Sequence, residues 1–450
     1  MKNTKCSSRE IAEYIYEVKL GDETVVYAPI LQTAKLTPPG ITGFGNDVSV
    51  KELSARSREF VEKDDSHILR PERSPCDMNS MVILPNYKCN FRCSYCYAAK
   101  GRSNEEIDIK TLDAAMDWFL DKNRIPEKDL YIFIVGGGEP VMSWGIIEEI
   151  VKKVSEARTF RERKVALAMT TNGSLITEER ARFLADADII VNVSYEVIRE
   201  VQNQQRDMCD AVELGIETLQ KAGAKFAIRA TVSPLSVDRM SEMVDIVLHR
   251  FPCARRLNLE AILAGKEVFC TADSFRDFLE RFKKGFAEAR RRGDERGLKV
   301  ISATRMDMTI LKNRFCRGDL CLTPRGDLSI CRRFSSPNEK NFPHTVFGHI
   351  ENGMLKVDEE AYHRALGFSL DNRKRCKECF MRWHCGGLCL SQQTMFPADY
   401  YDVLCDFVSE EGWRYLRSSA GSESLQQGVP ALSEQQSEMA RSDKRNKEEQ

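Results

Sequence analysis

The chain has 450 residues, 42% of them hydrophobic, enough for a large buried core and for two or three domains. Its 67 Lys and Arg balance 68 Asp and Glu for a net charge of −1, which removes the electrostatic case for nucleic acid or an anionic membrane as the main partner. No apolar run approaches the roughly 20 residues that span a bilayer, and the N-terminus (MKNTKCSSREIAEYIYEV) lacks the apolar core of a secretory signal, so a cytoplasmic location is expected.

Sixteen cysteines stand out against this background. In a reducing compartment, thiols at short, clustered spacings are metal ligands more often than disulfide partners. Eleven of the sixteen fall into two such clusters, while Cys6, Cys76, Cys209, Cys253 and Cys270 are isolated and read as packing residues.

Residues 1–80 combine a β-like stretch from Glu17 to Pro29, a Pro/Gly turn region from Thr37 to Phe44 and a charged helical stretch from Val50 to Lys63. An exposed strand edge at Val18 to Val26 is expected, on which an extended peptide could add as a further strand. The other reading is that this segment only covers the next domain.

From Met81 the apolar runs 81–84, 130–135, 165–171, 188–194, 225–232 and 257–263 alternate with helical stretches, among them Ile109–Leu120, 144–154, Thr177–Ala185, Ala211–Ala222 and Arg239–Phe251. Such alternation means β-α units around a parallel sheet. About six units fit residues 81–293, fewer than the eight of a closed barrel, which leaves a partial (β/α)6 TIM-like barrel or an open doubly wound sheet. Either places ligands at the carboxyl ends of the strands. The run Arg290–Arg292 reads as a solvated helix face. Residues 294–417 are expected to form a loop-rich second domain ordered by metal, and a disordered tail is expected from residue 418.

The first cluster, Cys89, Cys93 and Cys96, reads C-x3-C-x2-C directly after the first strand. Three thiolates on one short loop can hold a corner of a four-iron cluster and leave its fourth iron open, whereas a structural zinc site wants four closed ligands. With Tyr95 as the aromatic in C-x3-C-x-aromatic-C, the segment resembles the signature of the radical S-adenosylmethionine family. That resemblance implies a cofactor chelated to the open iron and cleaved by one electron to a 5′-deoxyadenosyl radical. It also implies an external electron donor of the flavodoxin or ferredoxin type. Further segments fit the family in order. Gly137, Gly138 and Glu139, in VGGGEP, resemble the motif that holds the methionine amino group, and Asn172 lies in a TNG segment. Ser194 ends the next strand as a ribose or carboxylate contact, and Arg206 stands where peptide-modifying members place an arginine for the cofactor carboxylate. The family's Leu-Asp-Gly after that serine is replaced here by Tyr195-Glu196-Val197.

The second cluster comprises Cys316, Cys321, Cys331, Cys376, Cys379, Cys385, Cys389 and Cys405. The nine-residue gap from Cys316 to Gly326, the four to Cys331 and the later C-x2-C-x5-C-x3-C are similar to the seven-cysteine SPASM extension of enzymes that modify peptides and proteins. Zinc knuckles are the bland alternative. The resemblance implies two further 4Fe-4S clusters, three in all, one on Cys316, Cys321, Cys331 and Cys389 and one on Cys376, Cys379, Cys385 and Cys405. Cys321 lies outside the seven-cysteine pattern, and without it the nearer cluster would keep an open iron. His384 reads as a polar neighbour in a tight loop, with Trp383 and Phe380 packing around the clusters.

A maturase that installs a crosslink, thioether or oxidation in a peptide or protein side chain is the expected function. A sulfatase-maturing, formylglycine-generating enzyme is the enzymatic alternative. Such enzymes carry an Asp directly after the cysteine equivalent to Cys331, where this chain has Arg332. An iron–sulfur electron carrier or redox sensor is the alternative of another class, and it needs no cofactor-binding strand ends.

Overall fold

The computed structural model describes residues 6–37, 49–63 and 74–419, apart from 128, 161–162, 305, 307, 317 and 367–373. Most of the Pro/Gly turn region and the tail from residue 420 lie outside the described residues.

An N-terminal antiparallel sheet runs β1 (Ser7–Ala12), β2 (Ile15–Leu20), β3 (Glu23–Ala28), β4 (Thr33–Thr37) in that order. Helix α1 (Val50–Lys63) lies against it, burying Leu53 with Ile15, Val26 and Ala28. The expected free edge at Val18 to Val26 is not there. Val18 pairs with both Ser8 and Val25, and Val26 with both Glu17 and Lys35. The dipeptide Gly21-Asp22, with Gly21 at φ +62°, closes a two-residue hairpin, so one apparent strand is two central ones. The edges are β1 and β4.

The second sheet has eleven strands in the order β11-β10-β9-β8-β7-β6-β5-β12-β13-β14-β15. Its parallel part comprises β5 (Ser80–Ile83), β6 (Asp129–Ile134), β7 (Lys164–Thr171), β8 (Ile189–Ser194), β9 (Phe226–Val232), β10 (Arg256–Ala261) and β11 (Lys299–Ile301). The crossovers are α2 (Ile109–Leu120), α3 (Trp144–Phe160), α4 (Glu178–Asp186), the pair α5 (Arg199–Gln205) and α6 (Cys209–Lys221), α7 (Met240–Arg250) and α8 (Ala272–Glu295). The strand order is open, as a partial barrel of six β-α units requires. Period-two alternation sorts the faces. Ile132, Met169, Val191, Ile228 and Leu259 join the core under the helices, while Asn192, Ser194, Arg229, Thr231 and Asn258 take the other face. Local chemistry sets the helix starts: Asp108 caps α2 by accepting from Thr111 N at 3.0 Å, and Thr177 caps α4.

Strand β12 (Leu320–Leu322) adds parallel to β5, and β13 (Asp327–Ser329), β14 (Val346–Glu351) and β15 (Met354–Val357) continue antiparallel. Four helices follow α9 (Glu359–Leu366): α10 (Lys374–Lys377), α11 (Arg382–Cys385), α12 (Leu390–Met395) and α13 (Ala398–Ser419). The region expected to be loop-rich therefore holds five strands, β11 to β15, and most of a 22-residue helix. Tyr400, Val403, Leu404, Phe407 and Val408 give α13 a buried stripe at helical spacing, which packs on α8 beside Phe275.

Candidate active site

The three-cysteine loop leaves β5 and lies across the carboxyl ends of the strands. Ser94 N donates to Gln205 O at 2.9 Å, Arg102 donates to Phe91 O, and the Tyr87 hydroxyl donates to Ser335 O. Burial pushes the Cys89 and Cys93 thiols up; Cys96 adds to both, and Cys89 itself adds to Cys93, so the three thiols are neighbours. Among the described residues no three His, Cys, Asp or Glu side chains converge as ligands do around one ion. A four-iron cluster places its thiolates on separate corners, which is a different arrangement.

The glycine run after β6 makes this loop possible. A Cβ on Gly138 would overlap the Lys88 carbonyl, and one on Gly137 would stand 2.5 Å from the Tyr87 ring. Glu139 N donates to Lys88 O at 2.6 Å, binding the two loops together. The buried Glu139 carboxylate accepts from Thr171 Oγ1 at 2.5 Å, Asn172 N at 2.7 Å and Val141 N at 3.2 Å. A carboxylate has about four acceptor positions, so one is left without a donor among the described residues. Burial pushes this carboxyl up, while the three donors pull it back. Asn172 in turn donates to Asn90 Oδ1 at 2.9 Å. Ser194 is half-buried at the end of β8, in register with Arg229.

Arg206 and Tyr95, both partly buried, join the fully buried Glu196 in one group. Arg206 Nη1 donates to the Tyr95 hydroxyl at 2.9 Å and lies 3.5 Å from Glu196 Oε1, and the Tyr95 hydroxyl donates to the same carboxylate. Burial alone would push Arg206 down; Tyr95 and Glu196 more than offset it. Arg206 Nε is buried without a hydrogen-bond partner among the described residues. A cavity of about 380 Å³ opens beside it, lined by Asn90, Phe91, Ser94, Gln205 and Met208 among others. Glu196, in the segment that departs from the family pattern, is thus part of the site; a carboxylate two residues past a strand end was its only signal.

The second set of thiols sorts into two groups. Cys316, Cys331 and Cys389 line one cavity. Burial pushes Cys331 up to about 12, and Cys316 and Cys389 add to it. Burial also pushes Cys385 up to about 12, with Cys379 adding, while Cys405 is raised by burial and then by Cys385, Cys379 and Cys376 despite the opposing Arg375. Cys321 packs on β12 among Val82, Leu84, Tyr87 and Val135, with Asp319, Arg332 and the Cys331 thiol as neighbours. Cys6, isolated in sequence, has Cys379 beside it in space. His384 is fully buried, with Nδ1 3.0 Å from Ile310 O and Nε2 2.6 Å from the Tyr27 hydroxyl. Phe380 is buried and Trp383 packs on Tyr14, ring centroids 5.5 Å apart. Arg332 forms a two-pronged pair with Asp319 at 3.1 and 3.3 Å, and Arg333 stacks over Tyr97, next to Cys96, at 5.1 Å.

The donor set fits the implied groups: thiols gathered on one loop for an iron–sulfur cluster, an orphaned buried Arg206 Nε for an anion, and one open position on Glu139 for a cation.

Residues 83–247 match the model of the radical SAM superfamily. The cysteine-type anaerobic sulfatase-maturating enzyme of Clostridium perfringens is 27% identical over 165 residues, covering 34% of this chain and 44% of that protein. The structure described as native anSMEcpe with bound AdoMet and Kp18Cys peptide superposes with a TM-score of 0.60 at 18% identity, covering 76% of this chain and 99% of that one. Streptococcus suis SuiB bound to precursor peptide SuiA gives 0.51 at 17% identity, covering 78% and 80%. At these identities the two structures show a shared fold. The chain spans 59% and 63% of the length of the first curated relatives it matches.

Proposed function

We propose that this chain is a radical S-adenosylmethionine maturase that modifies a side chain of a peptide or protein. The observation that carries the reading is the nearly buried Arg206 guanidinium with its unpartnered Nε, set beside the three-cysteine loop. Cys89, Cys93 and Cys96 would hold a four-iron cluster, which with S-adenosylmethionine bound would supply radical chemistry for hydrogen-atom abstraction. Arg206 orients the cofactor carboxylate, Ser194 contacts its ribose or carboxylate, and Glu139 accepts from its amino group. Asn172 and the glycines Gly137 and Gly138 hold the loop and strand end that carry these groups. Cys316, Cys331 and Cys389, with Cys321 as the fourth thiol, take the nearer auxiliary cluster, and Cys376, Cys379, Cys385 and Cys405 the farther one.

The peptide guest is supported by the likeness to SuiB and anSMEcpe, both solved with peptides. An external flavodoxin- or ferredoxin-type donor and a cytoplasmic location complete the reading. An electron carrier would have no use for the Glu139 and Arg206 arrangements. Formylglycine formation is the less supported product, because Arg332 follows Cys331 and is paired with Asp319. The test is Cys93→Ala: iron should fall by about four per chain from about twelve, and 5′-deoxyadenosine formation should stop. Cofactor cleavage at the unaltered rate would refute the assignment.

A further inference from the structure

We propose that Glu196 is a positioning residue, which holds Arg206 and Tyr95 so that the arginine meets the cofactor carboxylate at one fixed angle. This rests on the reading above, in which Arg206 receives that carboxylate.

Both carboxylate oxygens of Glu196 are engaged within the site. Oε1 takes the Tyr95 hydroxyl and faces Arg206, Oε2 accepts from Thr231 N at 2.8 Å, and the residue's own N–H donates to Gln202 Oε1 at 3.0 Å. One carboxylate therefore ties the three-cysteine loop, the cofactor arginine and strand β9 to each other. The backbone is bent to deliver it. Val197 adopts φ +66°, a left-handed conformation that β-branched residues rarely take. Packing holds it there: Val197 is fully buried, the Tyr195 hydroxyl lies 3.0 Å from Val197 O while donating to the Glu213 carboxylate, and Ile198 N donates to Glu196 O at 2.7 Å. Backbone strain of this kind persists only where surrounding contacts over-determine it, and it gathers at functional sites.

The arrangement has a chemical consequence. Arg206 is nearly buried, with its Nε out of reach of solvent, so an unpaired guanidinium would be costly, yet a fully paired one would have nothing to offer a ligand. Glu196 meets it through Nη1 alone, which stabilises the cation while Nε remains without a partner. A second carboxylate, that of the cofactor, then finds an arginine already oriented.

The test is anaerobic calorimetry of S-adenosylmethionine binding to iron-loaded protein with its clusters oxidised, so that no turnover contributes. Glu196→Gln keeps the size but sets an amide N–H where one of three donors needs an acceptor. Glu196→Gln and Arg206→Lys should each weaken binding about tenfold, and the double variant should bind no worse than Arg206→Lys alone, since non-additivity is the mark of residues acting through one another. Glu196→Asp should recover part of the loss. Losses that multiply, or unaltered affinity in iron-loaded Glu196→Gln, would overturn the proposal. Tyr95→Phe, which removes only a hydroxyl, covers the case where Glu196→Gln fails to load iron: about threefold weaker binding at full iron content is expected, and unaltered affinity would refute it. Iron-loaded wild-type protein that binds no S-adenosylmethionine would instead defeat the functional reading itself.

Discussion

Tyr27 and His384 lie 357 residues apart in the chain and meet in the interior, the Tyr27 hydroxyl 2.6 Å from His384 Nε2. Burial pushes the Tyr27 hydroxyl up, so it keeps its proton and donates; His384 Nε2 accepts, and Nδ1–H is left to donate to Ile310 O. Around this bond the N-terminal sheet is fastened to the loop that carries Cys376, Cys379 and Cys385. Ser8 Oγ donates to Glu378 O at 2.8 Å, and Phe380 N donates to Ser8 Oγ at 3.3 Å. The sheet is thus a wall of the farther thiol group.

Tyr27→Phe removes that hydrogen bond and keeps the ring. The expected cost is about 1–3 kcal/mol, because a buried polar group loses its partner. Thermal melting should show it, and a chelator should strip iron from the farther group faster than from wild type. Unaltered melting and stripping would mean that the contact carries no weight.

Two glycine substitutions separate close approach from conformation. Gly138→Ala must displace the Lys88 carbonyl next to Cys89, so it should cost about 3 kcal/mol or more and lower iron at the first cluster. Gly223 has φ +70° but open space around it, so Gly223→Ala should cost only about 1 kcal/mol and leave iron intact. Melting curves and iron analysis of both variants decide the matter. Equal iron loss in the two would sink the argument.

The repeated β-α units were legible in the sequence because each strand is a run of β-branched and aliphatic residues and each helix a separate amphipathic stretch. Strand β7 and helix α2 fall almost residue for residue where the pattern puts them. Strands β12 to β15 were not legible, since segments of three to six residues such as Leu320–Leu322 carry too little period of their own and become strands by pairing outward from β5. Helix α13 was legible in principle, but Cys405 drew that stretch into the metal-ordered loops. At the site, cysteine spacing marked the thiols. Glu196 and the Tyr27–His384 bond depend on long-range packing that no local pattern encodes.

Replacing Cys379 and Cys385 together should remove about four iron atoms per chain and leave the three-cysteine loop able to cleave the cofactor, because its anchors are Gln205, Lys88 and Ser335. Iron counting and 5′-deoxyadenosine release without peptide measure this. Complete loss of cleavage would show that the two sites are not separable.

Glu213 supplies a pH-dependent element of stability. Its carboxylate is nearly buried, which alone would raise it, but Arg250, Tyr195 and Arg199 hold it below its ordinary value of 4.5. A depressed folded-state value means that the stabilisation is present above about pH 4.5 and is lost as pH falls through the lower, folded value. Melting temperatures of wild type and Glu213→Gln should therefore converge on acidification below that point. A constant difference down to the acid limit would contradict the linkage.

Strand β5 opens the parallel sheet in sequence, yet only one of its sides is filled by a strand made soon after it. Met81 pairs with Ile132 on that side and with Leu320 on the other. While the polypeptide is being synthesised, the apolar segment Ser80–Ile83 therefore presents an open edge until residue 320 has left the ribosome. An unprotected edge of this composition invites pairing with other chains. Truncations that end before β12 should accumulate as aggregates, and the protein as a whole should depend on chaperones more than its stable core would suggest.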